Sequence, residues 1–556
     1  MDSSVLKIAF LWHNHQPYYA MDGKFLLPWV RFHSIKDYRD LPLLFREFPK
    51  IKHNINIVPS LFLQILQYIQ HQKIDRVQEL TLINAEYLTI DEKKEILFQF
   101  FVCNEKHLIK PYPRYYELYI KSKNENAIEQ FTSQDYRDLQ VWYNLCWFGN
   151  YARKEKPIAD LFLKSSNFSE ADKIICLEYQ CKIMNDILPL LNEMQKNSQI
   201  EISTTSFYHP IIPLIIDTNC ALEANPNNPK LEQPFQFPQD AALQIIKAKE
   251  FYKDIFGFYP IGAWPSEGAV SNEAICLIAD CNFQWIATDE SILFASESST
   301  TGLEKYFPRK YKNQNREIML FFRDHYLSDK IGFDYQNWNS FDAVNDFIGN
   351  LHNIRNAILE KYGQEGLNAA VVPIILDGEN CWEYYENNGE DFLSELFSRL
   401  SESNYFTTVR FSDILNDGSD KFLPELSNIR AGSWINANFD IWIGTDVHIK
   451  AWNILKNARI TFENNRKNLP ENIENEILNE IMIAEGSDWF WWYSPFNQSE
   501  NKKDFDILFR YHIKRIYDLM QIPAPEDVQY PINGSKEANQ HANSTNANST
   551  MHRAEQ

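Results

Sequence analysis

The sequence predicts an α/β fold, a distorted β/α barrel with helical insertions, followed by a mainly helical C-terminal domain. Short apolar runs recur from residue 7 to residue 410, and helical stretches separate several of them. Most of these runs end in a polar or acidic cluster. Buried strands that alternate with helices form a parallel sheet, and this number of units predicts closure into a barrel. The pattern alone does not distinguish seven strands from eight.

The predicted strands are apolar runs followed by a turn signal. They lie at residues 7–12, 53–58, 200–205, 259–264, 283–288, 318–322, 369–376 and 406–410. A helical insertion is predicted at about 60–198, where apolar residues recur at helical spacing. An insertion of this length between strands builds a lid or one wall of a cleft.

The predicted domain organisation has three parts. Residues 1–415 form the barrel domain with its insertion, and 416–522 form a helical C-terminal domain that completes the cleft. Residues 523–556 are polar and are predicted to be a disordered tail, because they cannot bury enough apolar surface. Glycosylation triplets at Asn533, Asn543 and Asn548 are interpreted as chance matches.

Composition excludes some partners. The net charge of −21 argues against nucleic acid and anionic membranes, which bind clustered Lys and Arg, and it is compatible with a neutral substrate. We expect no membrane span, because no apolar stretch is long enough. Eight scattered cysteines and an N-terminus without a cleavable apolar segment predict a cytoplasmic protein with free thiols. No prediction of oligomeric state follows.

Aromatic residues make up 14% of the chain. The clusters at 142–148 and 489–493 are denser than core packing requires. Aromatic rings pack well against apolar surfaces, so some of them are candidates for platforms under the apolar faces of sugars.

Candidate catalytic acids follow two of the predicted strands. Glu267 comes after the strand at 259–264, and Asp324 comes directly after the strand at 318–322. Reactive groups at the C-terminal ends of parallel strands mark the working face of a β/α barrel. Two carboxyls brought together there, among many aromatics, indicate glycoside chemistry. Asp329, five residues beyond Asp324, is the rival acid in the same loop.

Histidines and further acids also lie at strand ends. His13 and His15 alternate along the end of the first strand, His209 follows the third, and Asp377 and Glu379 follow the most apolar strand. One interpretation is a metal-dependent hydrolase or deacetylase, with the three histidines and an Asp as ligands. A metal-free glycosidase is favoured, because the carboxylates outnumber the imidazoles. A non-catalytic carbohydrate-binding protein is a third, weaker alternative.

Five ordered segments resemble those that identify glycoside hydrolase family 57. They are HQP at 15–17, EISTT through His209-Pro210 at 201–210, WPSEGAVS at 264–271, FRDHYLSDKIGF at 322–333, and DGENCWE at 377–383. The residues of the third and fourth segments are similar to those of the amylopullulanase and α-amylase branch of that family. Similarity continues through 139–148 and 432–452, and so covers nearly everything before the tail.

The resemblance implies a (β/α)7-type barrel and retaining cleavage of α-glucosidic bonds in an α-glucan or maltooligosaccharide, with no metal or cofactor. It implies Glu267 as nucleophile and Asp324 as general acid/base, with Asp329 not excluded. A 4-α-glucanotransferase on the same scaffold is an alternative. Arg323 is expected to point away from the site, and the two carboxyls are expected to lie about 5–5.5 Å apart. Expected substrate-binding residues are His13, His15, Glu201, His209, Trp264, Asp377, Glu379, Trp382 and Trp434.

Overall fold

The computed structural model describes residues 5–70, 73–297, 301–415 and 424–532. Its central element is a curled, largely parallel sheet, with a separate short hairpin beside it. The strands are β1 (Leu6–Asn14), β2 (Ala20–Met21), β3 (Lys24–Phe25), β4 (His53–Ile57), β5 (Ile200–Thr204), β6 (Gly262–Ala263), β7 (Trp285–Asp289), β8 (Arg309–Asn313), β9 (Arg316–Arg323), β10 (Val371–Asp377), β11 (Phe406–Thr408) and β12 (Glu425–Leu426).

Seven parallel strands form the barrel wall, in the spatial order β10-β1-β4-β5-β6-β7-β9. The two ends of this row meet, because the Asp324 N–H donates to the Pro373 carbonyl across 2.8 Å. The Arg323 Nε likewise donates to the Ile375 carbonyl across 2.7 Å. The prediction of a distorted barrel is therefore confirmed, with seven parallel strands.

The remaining strands extend the edges of the sheet. β8 runs antiparallel to β9, β12 pairs with β8, and β11 pairs with the start of β1. β2 and β3 form the separate hairpin. Strand β6 is shorter than the predicted run at 259–264, and its Gly262 lies against the indole of Trp285, where a Cβ atom would come within 1.8 Å of the ring. β8 was not predicted from the sequence.

Helices of the barrel lie between the strands, as βα alternation requires. Outside the insertion they are Trp29–His33, Arg39–Glu47, Ile212–Ile216, Ala221–Ala224, Pro238–Phe256, Asn272–Asp280, Glu290–Ser296, His325–Asp329, Ser340–Ala369, Glu390–Glu402 and Phe411–Leu415. The insertion between β4 and β5 is helical, as predicted. Its helices are Pro59–Gln70, Arg76–Leu82, Ile90–Gln99, Pro113–Ser122, Ala127–Gln130, Ser133–Leu145, Asn150–Arg153, Ile158–Lys164 and Glu170–Lys196.

Capping residues fix the starts of several insertion helices. Asp75, Thr89, Thr132 and Ser169 each form a capping box, in which the cap side chain accepts from the third backbone N–H of the helix. The long helix Glu170–Lys196 packs on Arg39–Glu47 and Ser133–Leu145, and so joins the insertion to the barrel.

The C-terminal helices pack against the barrel. They are Asp440–Ile443, Asp446–Asn465, Glu471–Ala484, Ser487–Tyr493 and Lys502–Leu519. The buried side chains of Arg459 and Asp240 form an ion pair with a 2.7 Å contact between a C-terminal helix and a barrel helix. The Tyr208 hydroxyl donates to Asn479 across 3.0 Å at the same junction. These contacts hold the C-terminal helices beside the loop that follows β5.

The first part of the predicted tail is packed. Val528 and Ile532 are buried, and the Ile532 N–H donates to Asp506 across 3.1 Å. Residues 533–556, including the three glycosylation triplets, lie outside the described residues, and disorder there stays a prediction. All eight cysteines are unpaired. Among the helices of the described ranges, none has the length and apolar character that a membrane crossing requires.

The barrel interior determines which side chains reach the mouth. Inward-facing residues form an apolar cluster of their own, and its strand members are Ala9, Leu11, Trp285, Ala287, Met319, Phe321, Val371 and Ile375. Successive side chains of a strand point to opposite faces. Continuing each strand by two residues therefore places His13, Asp289, Arg323 and Asp377 on the inner face at the C-terminal ends.

Candidate active site

Glu267 lies in a tight turn at the C-terminal end of β6. Its backbone adopts a left-handed conformation with φ 58°, as does that of His209, also with φ 58°. Such strain in residues other than glycine concentrates at functional sites. The Trp434 indole N–H donates to Oε2 of Glu267 across 2.8 Å, and the Trp434 backbone N–H donates to the Glu267 carbonyl across 3.0 Å. The loop before the C-terminal helices is thereby fixed to the turn that carries Glu267.

The surroundings of Glu267 favour its protonated form. Its side chain is 16% exposed. Burial first, and then the negative charges of Asp377 and Asp488, raise the pKa of Glu267 to about 8, against the opposing effect of the Trp434 hydrogen bond. Glu267 and Asp377 thus share one pocket, and burial also raises the pKa of Asp377.

Three histidine rings stack at the mouth of the barrel. The ring centres of His15 and His209 are 3.8 Å apart with a 22° interplanar angle, and His13 lies 5.2 Å from His209. The His13 Nδ1 is 2.8 Å from the Asn56 Oδ1. Burial and the neighbouring His15 lower the pKa of His13 to about 3, and burial lowers the pKa of His209 well below its usual range. At neutral pH both rings are uncharged hydrogen-bonding groups.

Two residues of a C-terminal helix complete this histidine group. The His15 Nε2 lies 2.8 Å from the Asp488 Oδ1, and the His209 Nδ1 lies 3.0 Å from the Ser487 hydroxyl. The Ser487 backbone N–H also donates to the His209 carbonyl across 3.1 Å. Neither residue was predicted from the sequence. The only indication of them in the sequence is their position directly before the aromatic cluster at 489–493. That cluster was interpreted from its rings alone, without the two polar residues that precede it.

His15, His209 and Asp488 are also the group that best fits the metal alternative. Among the described residues, their potential ligand atoms lie within 4.8 Å of one another, and His13 is not part of the group. A nitrogen lone pair of imidazole lies in the plane of the ring. The near-parallel stack of His15 on His209 therefore directs these lone pairs side by side, so a shared ion requires a ring rotation. The observed arrangement fits hydrogen bonding better than it fits coordination.

Asp324 does not join this group. Its carboxylate caps the helix His325–Asp329 by accepting from the Leu327 N–H across 2.8 Å, and its other oxygen accepts from the Tyr306 hydroxyl across 2.7 Å. The same oxygen is 3.0 Å from the Lys305 Nζ, and the residue is 2% exposed. Strand alternation explains this position, because Arg323 faces inward and its neighbour Asp324 must face outward. The expected pairing of Asp324 with Glu267 is absent from the contacts of the described residues.

Arg323 corrects a second expectation, since it points into the barrel and not away. Its guanidinium lies 5.2 Å from the ring centre of Trp434 and donates to Asp329 across 2.5 Å and to Asp289 across 3.3 Å. Asp329 is thus connected to Glu267 through Arg323 and Trp434. Although burial opposes it, the hydrogen bond from His325 and the charge of Arg323 lower the pKa of Asp329 to about 2.

Asp377 and Glu379 take different positions after β10. Asp377 lies opposite His13 in the strand register and accepts from the Asn380 amide across 2.8 Å. Glu379 is buried behind the mouth, where its Oε1 accepts from the His15 backbone N–H across 3.1 Å. Asp377 therefore faces the pocket, and Glu379 holds the segment that carries His15.

Three expected substrate-binding residues lie away from the pocket surface. Glu201 is the second residue of β5, at the opposite end of the barrel from the mouth, where it accepts from Trp285 and from the Ser412 N–H, each across 2.8 Å. Trp264 is fully buried under the site, 5.3 Å from the ring of Trp434. Trp382 is buried against Trp12 on the outer side of the sheet, and its indole N–H donates to the Gly378 carbonyl.

Comparison with known proteins decides the family. The profile described as Glycosyl hydrolase family 57 matches residues 9–427, which is most of the chain. The chain belongs to glycosyl hydrolase family 57. The family resemblance in the sequence is confirmed, and the match includes every candidate on the barrel strands, whereas Trp434 and Asp488 lie beyond its end.

The proteins to which this chain is similar share little sequence identity with it. An α-amylase of Pyrococcus abyssi is 21% identical over 289 residues, which are 51% of this chain and 38% of that protein. A branching enzyme of Thermococcus kodakaraensis has a similar structure, with a TM-score of 0.58 and 16% identity over 92% of this chain and 90% of that chain. A 4-α-glucanotransferase of Thermococcus litoralis gives a TM-score of 0.51 and 14% identity over 92% and 60%. These structural likenesses show the fold.

Proposed function

We propose that this chain cleaves α-glucosidic bonds of an α-glucan or maltooligosaccharide with retention, through a glycosyl-enzyme intermediate. The observation that carries the proposal is the environment of Glu267 at the barrel mouth. Its backbone has a left-handed conformation, its carboxylate accepts a hydrogen bond from the Trp434 indole N–H, and it lies beside the stacked histidines. The related proteins are described as an α-amylase, a branching enzyme and a 4-α-glucanotransferase, all of which act on α-glucans.

Glu267 is proposed as the nucleophile and Asp329 as the general acid/base. In the first step an oxygen of Glu267 bonds to the anomeric carbon while the glycosidic bond breaks and the leaving oxygen takes the proton of Asp329. In the second step water, or a sugar hydroxyl, attacks the same carbon as Asp329 removes its proton, and Glu267 is released. Asp329 is preferred to Asp324 because the contacts of Asp324 are with Lys305, Tyr306 and a helix N-terminus.

The pair Glu267 and Asp329 carries one proton at neutral pH. In the free protein it resides on Glu267, with a pKa of about 8, and not on Asp329, with a pKa of about 2. The reactive form has the proton on Asp329, and it differs from the resting form only in the site of that proton. Positive charge that develops on the sugar in the transition state favours ionised Glu267, so the reaction proceeds from the form with the proton on Asp329 although that form is the less populated one.

Hydroxyl groups of the reacting sugar are proposed to bind the histidine group. His15 and His209 each have a ring nitrogen without a partner among the described residues, Nδ1 and Nε2 respectively. Asp377, on the inner face opposite His13, supplies an acceptor in the same pocket. The uncharged His209 ring and the carboxyl group of Asp377 suit a neutral sugar.

An activated substrate tests the two roles separately. Fluoride leaves α-maltosyl fluoride without needing a proton, so Asp329→Ala should cleave it at a substantial rate while losing maltooligosaccharide turnover by about a hundredfold or more. With added azide, the Asp329→Ala variant should release the α-glycosyl azide, because azide attacks the glycosyl-enzyme. Glu267→Ala should instead release the β-glycosyl azide, because azide then attacks the anomeric carbon of the α-fluoride directly and displaces fluoride with inversion.

Asp324→Ala is the control for this experiment. If Asp324→Ala, and not Asp329→Ala, gives the α-glycosyl azide, Asp324 is the acid/base and our assignment fails. Wild-type turnover of maltooligosaccharides with inversion at the anomeric carbon would refute the retaining mechanism as a whole.

Transfer to a sugar instead of water is the second candidate, since a branching enzyme and a glucanotransferase share the fold. Product analysis on maltoheptaose, pullulan and amylose separates the outcomes. Hydrolysis gives only shorter chains, disproportionation gives shorter and longer chains, and cleavage of pullulan reports α-1,6 activity. Dialysis against a chelator should leave turnover unchanged, whereas loss and recovery with zinc would favour the metal alternative at His15, His209 and Asp488.

A further inference from the structure

Two exposed aromatic rings lie on the segment that carries Asp329. Tyr326 is 54% exposed and Trp338 is 46% exposed. Both belong to the connection between β9 and the long helix Ser340–Ala369. Large apolar side chains that share one small surface region mark binding sites. The catalytic proposal makes no use of either ring.

The ammonium group of Lys330 lies close to both rings. Its Nζ is 5.2 Å from the ring centre of Tyr326 and 5.1 Å from that of Trp338. Since both ring centres lie within 5.2 Å of one nitrogen, they can be no farther apart than twice that distance. A short stretch of sugar chain can therefore touch both rings at once. We call Tyr326 and Trp338 the aromatic pair.

The position of Lys330 is itself fixed. Its Nζ lies 2.9 Å from Asp346, which also accepts from the hydroxyl of Tyr335 across 2.8 Å. Tyr335 is buried, and its ring packs edge-to-face on Trp338 with centres 5.5 Å apart. The aromatic pair thus rests on a buried support, and less side-chain entropy is lost when a ligand binds to it.

The charge around the aromatic pair favours a neutral ligand. Asp346 neutralises Lys330, and the Lys330 side chain is only 12% exposed. An anionic ligand finds no free cation at this point, and a nucleic acid is excluded by the same argument. Flat rings with a small polar edge match the alternating apolar faces and hydroxyl edges of a glucan chain.

The helix His325–Asp329 connects the aromatic pair to the catalytic centre. Tyr326 and Asp329 are three residues apart, and residues at this spacing are neighbours on a helix surface. Tyr326 precedes Lys330 by four residues, so it lies between Lys330 and Asp329 on that side. A chain that leaves the pocket past Asp329 meets Tyr326 next.

We propose that the aromatic pair binds the glucan chain outside the bond-cleaving pocket and sets a preference for long substrates. This inference rests on the proposed α-glucan activity. A protein partner is disfavoured, since stable protein interfaces bury about 800 Å² on each side, far more than two rings around one lysine offer.

The experiment compares Tyr326→Ala and Trp338→Ala with wild type on amylose and on α-maltosyl fluoride. We expect kcat/KM for amylose to fall about tenfold, and kcat/KM for α-maltosyl fluoride to stay within twofold, because loss of one stacking contact acts only on chains that reach the rings. Tyr87→Ala is the matched control, since Tyr87 is 76% exposed in the helical insertion. It should change neither value.

Binding is measured separately in the inactive Glu267→Gln background by retardation in amylose-containing gels. In this background Trp338→Ala should reduce the retardation. The measurement tests glucan binding by the aromatic pair even if no turnover of glucan is found. Lower kcat/KM on amylose with unchanged retardation in the gels would show that the rings only position Asp329. Equal losses on both substrates would show that the rings act within the bond-cleaving pocket, and no change on amylose would exclude the binding role. Each of these three results overturns the proposal. Capture of a protein by the wild type with unchanged amylose kinetics would overturn it in favour of a protein-binding surface.

Discussion

The indole N–H of Trp434 donates to Oε2 of Glu267 across 2.8 Å, and the two residues are 167 positions apart in the chain. The bond joins a barrel turn to the loop before the C-terminal helices. A hydrogen bond to a carboxylate stabilises its ionised form, so Trp434 counteracts the burial of Glu267. The protonation of the proposed nucleophile therefore depends on both parts of the protein.

Trp434→Phe should raise the pKa of Glu267, because it removes the donor and keeps the aromatic ring. We expect kcat/KM on maltooligosaccharides to fall about ten- to hundredfold, the usual effect of a hydrogen bond to a charged group. The fall of kcat/KM at alkaline pH should also move to higher pH. Trp382→Phe is the control, since it removes a buried indole donor outside the pocket; an equal shift there would contradict the assignment.

The wild-type protein should lose activity as the pH rises above about 8. In that range Glu267, with its pKa of about 8, releases the single proton that it shares with Asp329. Each further pH unit should reduce kcat/KM about tenfold. From pH 8 down to the onset of acid unfolding, kcat/KM should stay level, since the second proton binds only near pH 2. A rise in kcat/KM through pH 8 would be incompatible with this proton count.

Glu267→Gln should be inactive yet more stable than wild type at alkaline pH. The pKa of Glu267 is raised in the folded state above its unfolded value of about 4.3. The folded state therefore binds more protons between about pH 4.3 and pH 8, and wild-type stability falls as the pH rises through this window. Glutamine does not titrate, so the difference in unfolding free energy between variant and wild type should grow by a few kcal/mol from pH 5 to pH 8. Urea unfolding at both pH values measures it, and a constant difference would mean that the pKa is not raised.

Asp488→Asn should move the alkaline fall of kcat/KM to lower pH, the opposite direction from Trp434→Phe. The negative charge of Asp488 helps to raise the pKa of Glu267, and the amide removes that charge at constant shape. Ser487→Ala is the matched control, because it removes a hydrogen bond to His209 without changing charge. Both variants should lower kcat/KM, but only Asp488→Asn should shift the pH profile.

Asp324→Ala should reduce the free energy of unfolding more than it reduces kcat. It removes a helix cap, which costs about 1 kcal/mol, and leaves Lys305 with one acidic partner in place of two, Glu290. Breaking a buried pair costs about 3 kcal/mol. Chemical denaturation should report a loss of this size, with kcat on maltooligosaccharides within a few-fold of wild type at a temperature where the variant is folded. A stable but inactive variant would restore Asp324 as the acid.

Strand positions were largely predictable, because the barrel strands are continuous apolar runs. Because of the same property, the sequence did not show which face of each strand points into the barrel. Strands buried on both faces lack polar–apolar alternation, so nothing in FFRD distinguished an inward Arg323 from an inward Asp324. Glu201 was misplaced for a different reason, since its position near the start of a strand sets it at the far end of the barrel from the reactive ends.

Contacts between distant segments were beyond the sequence argument. Asp488 and Ser487 contact the histidines only because the C-terminal helices pack beside the loop after β5. No local sequence pattern predicts the packing of two such distant segments. The proximity of Glu267, the histidines and Asp377 could be predicted because each lies at or beyond the end of a predicted strand, and parallel strands bring such residues to one edge.

Assembly of the pocket by Trp434, Ser487 and Asp488 has a consequence for biosynthesis. A ribosome makes the barrel strands first, and the nascent chain at that stage has Glu267 but neither its indole donor nor the partners of His15 and His209. We expect the proposed catalysis to require that the chain has emerged beyond Asp488 and that the helix Ser487–Tyr493 has docked on the barrel. Chains that end before these residues should therefore lack the proposed glucan-cleaving activity.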